Sequence, residues 1–160
     1  SRENIASAQA DIDTMLQRRA DLIPNLVSTV KSFAAHETEV YDAVFEARTQ
    51  LMNASTMQDK ADADAALDAA LTQLNVVVEA YPELKSDTTY IGLMDELAGS
   101  ENRISTARKD YNEAVRSYNQ RIVTFPTSIL ANMFGFTKAD YFEAAAGAAT
   151  TPDVGALLGK

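Results

Sequence analysis

Six residues at strict seven-residue steps, Tyr90, Leu97, Ile104, Tyr111, Tyr118 and Phe125, constrain this chain more than any other feature. Seven residues are close to two α-helical turns, so these side chains fall on one helix face. A second file, Met94, Glu101, Arg108, Val115 and Ile122, runs beside it and widens the face into a stripe. A helix carrying such a stripe is stable only when packed against other helices. The segment 88–124 would span roughly 55 Å at ~1.5 Å per residue, and Pro126 closes it.

The same spacing governs the start of the chain. One seam runs Ile5, Ile12, Arg19, Leu26, Phe33, Val40 and Ala47; its neighbour runs Leu16, Ile23, Val30, Glu37, Val44 and Leu51. Pro24 and the polar stretch His36–Glu39 are the two places where this pattern can break. A break at 35–38 gives a first helix comparable in length to the last, so it is favoured over one at Pro24. The shorter helices expected between the long ones cover roughly 38–53 and 62–81, with Leu67, Leu71, Leu74, Val78 and Tyr81 inward. Residues 53–61 read as a connection, and Asp62 and Asp64 as first-turn residues favoured by the helix dipole. Pro82 ends that helix, and Ser86 or Asp87 caps the next. The expected fold is all-α: a four-helix up-and-down bundle with a short C-terminal apolar helix or tail, residues 1–147 forming one domain and 148–160 a flexible tail. Ile129, Leu130, Met133, Phe134, Phe136, Tyr141 and Phe142 are too many to leave in water, so they are expected to cap an open end of the bundle.

Charge and composition exclude several functions. The formal charge of −9 disfavours nucleic acid, which needs gathered Lys and Arg. Residues 59–101 carry ten acids and two lysines, whereas 103–121 carry five bases and two acids. There is no cysteine, so disulfides and thiolate metal sites are excluded. The only histidine, His36, lacks a partner three or four residues away for a di-iron or zinc motif. The aspartates at 59, 62, 64 and 68 lack the spacing and glycine of a calcium loop. No glycine cluster cradles phosphate, and no elbow surrounds a serine. No catalytic residue, metal or cofactor is expected.

The residues that break the apolar seams are charged: Arg19, Glu37, Glu101 and Arg108. A charge in a helical core must be paired or snorkel outward. The expectation is a structural polar layer of Arg19, Asp21, Asn25, Glu101, Asn102 and Arg108, with Asp21 and Glu101 as the leading acids for Arg19 and Arg108. A ligand-binding cavity near Arg19 and Arg108 is the alternative.

The run Gln17-Arg18-Arg19-Ala20-Asp21-Leu22-Ile23-Pro24-Asn25-Leu26-Val27 resembles the signature of the LemA family. The likeness continues through Val30-Lys31-Ser32-Phe33-Ala34-Ala35-His36-Glu37 and Glu79-Ala80-Tyr81-Pro82-Glu83-Leu84-Lys85. Further blocks are Glu101-Asn102-Arg103-Ile104, Ala107-Arg108, Tyr111-Asn112, Tyr118-Asn119, Phe125-Pro126, Phe134-Gly135-Phe136 and Tyr141-Phe142-Glu143. The resemblance implies a bacterial protein with an N-terminal transmembrane helix and a four-helix up-and-down bundle behind it, and no catalytic residues. The alanine- and aspartate-rich stretch 53–66 departs from the pattern. Since the chain begins in mid-pattern, a membrane anchor is expected upstream of residue 1, and a scaffold or protein-interaction role with an unknown protein partner follows.

Overall fold

The computed structural model describes residues 2–123 together with Ala139, Tyr141 and Phe142. Among these the chain is all-helical and contains no strand. The helices are α1 (Arg2–Phe33), α2 (Thr38–Asn53), α3 (Met57–Glu79), the single turn α4 (Pro82–Lys85) and α5 (Thr88–Val123). None of them is long and apolar enough to cross a membrane. The tail expected at 148–160, and residues 129–136 of the apolar segment, lie outside the described residues.

The heptad seams become the core. Ile12, Leu16, Ile23, Leu26 and Val30 of α1 are buried, as are Tyr90, Leu97, Ile104, Tyr111 and Val115 of α5. α1 packs along the length of α5, and α2 packs against α3. The direction is antiparallel in the first pair: Asn4 and Ala8 share a groove with Ala114 and Arg121, while Arg18 meets Glu96 at 3.1 Å. The α2–α3 hairpin covers only part of this pair. Near the hairpin's closed end, Lys60 is bonded to Asp13 at 2.7 Å; the part of α1 before this contact and the end of α5 beside it form the stalk end of the pair.

The first helix breaks after Phe33, as the matching of helix lengths favours, and runs through Pro24. Proline has no N–H to offer the carbonyl four residues back, which here is Ala20. The structure fills that gap from another helix: Arg48 Nε of α2 donates to the Ala20 carbonyl at 2.7 Å. Arg48 thereby ties α2 to α1 at the weakest point of the α1 backbone. Replacing Arg48 with alanine should cost about 1–3 kcal/mol by leaving a part-buried acceptor unmet. Urea unfolding measures this, and the penalty should shrink in a Pro24→Ala background, where the helix supplies its own donor.

Two boundaries differ from expectation. α3 begins at Met57 rather than near residue 62, because Thr56 caps it by accepting a hydrogen bond from the Asp59 amide at 3.0 Å. Asp64 therefore lies two turns inside the helix and not in its first turn. α3 also stops at Glu79, and Pro82 opens the short α4 instead of directly terminating α3. Asp87 caps α5 through its carboxylate, which accepts from the Tyr90 amide at 2.9 Å. Glu37 precedes α2 at its N-cap position and is part-buried, so the break in the helix removes it from the core seam.

Candidate functional site: a buried arginine among three carboxylates

Arg19 is the most buried charge among the described residues, 2% exposed at the centre of α1's packed face. Its position is fixed by the seam that also buries Ile12 and Leu26, seven residues to either side. A guanidinium cannot be dehydrated there without acceptors. Three carboxylates supply them. Arg19 Nη1 bonds Asp64 Oδ1 and lies 2.8 Å from Glu101 Oε2, while Nη2 bonds Asp68 Oδ1 at 2.6 Å. The cluster joins α1, α3 and α5 at a single point.

Its electrostatics are unequal. Burial alone would lower the Arg19 pKa, but Asp64, Glu101 and Asp68 together raise it. Glu101 is pushed up to about 8, chiefly by burial and by the charge of Asp64, with Arg19 pulling the other way. Asp68 is raised too, again by burial first and against the pull of Arg19. Asp64 is nearly as buried as Arg19, whereas the Asp68 side chain is 45% exposed and reaches toward water. One oxygen of each acid lies within 4.8 Å of the others, a spacing that could surround a cation. The guanidinium already fills that role, so a metal ion would have to displace Arg19.

Of the residues expected to form the polar layer, the structure brings together Arg19 and Glu101. Asp21 does not pair with Arg19: it is exposed and accepts from Gln17 Nε2 at 2.8 Å, because two positions along a helix turn it to another face. Asn25 and Asn102 are exposed as well. Arg108 is part-buried and makes no ion pair among the described residues. Glu101 does not reach it, because its carboxylate is turned to Arg19. Arg19 Nε is buried and has no hydrogen-bond partner.

Asp64 and Asp68 were not legible as partners, since the expected helix began too late. The signal was present nonetheless. Residues 64, 67, 71, 74 and 78 are spaced by three and four, so Asp64 extends the buried leucine stripe by one turn.

A second constellation lies on the stalk. The Asn112 carboxamide donates from Nδ2 to the Phe142 carbonyl at 2.9 Å and accepts from the Phe142 amide at 2.8 Å. Asn119 grips Ala139 in the same way, at 3.2 and 2.8 Å. Each asparagine reads a backbone N–H and C=O of one residue, which is independent of side chain. Seven residues of helix rise ~10.5 Å, close to the reach of three extended residues at ~3.3–3.6 Å each. Phe142, 2% exposed, joins the buried core beside Asn112 of α5. The Tyr-Asn pairs at 111–112 and 118–119 were the sequence signal for this clasp.

The described residues form a helical domain that gathers buried charge into a node joining three helices. The chain belongs to the LemA family, whose sequence pattern it matches over residues 8–155. It is similar to magnetosome proteins MamQ 1 and MamQ 2 of Paramagnetospirillum magneticum, at 32% identity over 88% of the chain and 61% of theirs. It is also similar to protein LemA of Metamycoplasma hominis, at 23% identity over 88% of the chain and 64% of that protein. The chain thus spans about 61% of the length of the MamQ relatives it matches.

Proposed function

We propose that this chain is the bundle domain of a membrane-anchored bacterial LemA-family protein and acts as a non-enzymatic scaffold or protein-interaction module. The observation that carries the reading is the buried Arg19 node, whose ion pairs join three helices at one point. The four long helices are read as an up-and-down bundle, with α4 as a turn between the third and fourth. Membership of the family supports a bacterial setting, and the magnetosome relatives support an association with membranes.

In this proposal the anchor precedes residue 1, so the stalk end of α1 and α5 faces the bilayer. Residues 103–121, with five bases against two acids, then lie toward anionic headgroups. Lys109 and Arg116 are exposed in this stretch. Substituting both with alanine should weaken sedimentation of the purified domain with phosphatidylserine vesicles by about tenfold or more, from ~1 kcal/mol per basic residue. Equal binding by the double variant would remove the electrostatic argument. The anchor itself is tested on the full-length protein in native membranes: it should resist alkaline carbonate extraction, and release into the supernatant would overturn it.

A further inference from the structure

We infer that the Arg19 cluster is a proton-binding site, in which a single proton held by Glu101 against Asp64 locks α1, α3 and α5 together and its loss in mildly alkaline conditions loosens them. The starting point is a charge imbalance: three carboxylates converge on one guanidinium. The Arg19–Asp64 pair is neutral and almost fully dehydrated. Asp68 reaches water and can keep its charge there at modest cost. Glu101 is left over. Its Oε2 is buried and has no hydrogen-bond partner, although it lies 2.8 Å from Arg19 Nη1 as an ion-pair contact.

A buried carboxylate oxygen without a donor is costly, and protonation removes the cost while supplying a donor for the neighbouring acid. The charged groups acting on Glu101 are Arg19 from α1 and Asp64 and Asp68 from α3. Arg48 of α2 is engaged by the Ala20 carbonyl, Arg18 by Glu96 and Lys60 by Asp13, so these cations are already committed elsewhere. The upward shift of Glu101, to about 8, agrees with the geometry.

The sign follows from linkage. Glu101 binds its proton more tightly in the folded than in the unfolded chain. Its contribution is fully present below the ordinary glutamate range, declines as pH rises above it, and is lost through about pH 8. The junction therefore weakens with rising pH near neutrality, opposite to the effect of an ordinary salt-bridged carboxylate.

The test is a carboxyl-carbon NMR titration of the glutamate-labelled chain, with thermal unfolding of wild type and Glu101→Gln from pH 6 to 9.5. The expected results are a Glu101 titration near pH 8 and a wild-type melting temperature that falls by roughly 5 °C or more relative to the variant between pH 7 and 9. Amide exchange around Asp64 should also accelerate over that range beyond its intrinsic tenfold rise per pH unit. A Glu101 carboxyl titrating between pH 4 and 5 would overturn the proposal, as would the same pH slope in Glu101→Gln. If the variant does not fold, the wild-type titration decides alone.

Discussion

Replacing Arg19 with alanine is expected to destabilise the domain by about 3–5 kcal/mol, the cost typical of removing one member of a buried ionic set. The loss arises on both sides of the contact. Alanine deletes the buried aliphatic stem of Arg19, and it leaves Asp64 and Glu101 facing each other without a cation. The pH dependence separates the two parts. Lost packing is indifferent to pH, whereas the stranded acids can take up protons, so the penalty should be larger at pH 8.5 than at pH 5.5. Adding Asp64→Asn and Glu101→Gln to Arg19→Met should recover much of the stability, because an uncharged set needs no counterion. Urea unfolding at the two pH values measures both effects. A midpoint unmoved by Arg19→Ala would mean that the three helices are not held at this point.

Phe142→Ala should cost a comparable ~3–5 kcal/mol, the usual range for a buried phenylalanine. Phe142 belongs to the buried core beside Asn112 of α5, so its removal opens the stalk to water. Asn112→Asp probes the backbone clasp on its own: a carboxylate still accepts from the Phe142 amide but cannot donate to its carbonyl. That variant should lose about 1–3 kcal/mol. Hydrogen exchange should localise both losses to residues 2–12 and the second half of α5, leaving the Arg19 region protected. Uniform deprotection along the chain would show instead that the stalk and the hairpin-covered part unfold as one unit.

The helical class, a break near 35–38 and a cap at Ser86 or Asp87 were readable in the sequence, because each rests on local chemistry: a seven-residue period, a polar interruption, a capping residue before an apolar run. The structure chose Asp87. The start of α3 was not read correctly, since the alanine- and aspartate-rich stretch after Thr56 carries weak apolar signal and looks like a connection. That one boundary concealed the site. With the helix begun at 62, Asp64 reads as a dipole-favoured residue of the first turn; begun at 57, it joins the stripe of Leu67 and Leu71 and turns inward.

By itself the sequence determined that Arg19 and Glu101, like Glu37 and Arg108, sit in apolar seams, where a charge must pair or snorkel outward. It did not determine their partners. Asp21 is two residues from Arg19 in the chain yet points away, while Asp64 and Asp68, some 45 residues distant, supply the contacts. The same holds for Arg48 and the carbonyl that Pro24 leaves unmet, and for Asn112 and Phe142. Periodicity specifies which side of a helix is dry. Which helix lies opposite, and at what register, is settled only when the whole chain packs, since a buried charge or carbonyl bonds whichever partner the tertiary fold brings within hydrogen-bonding distance.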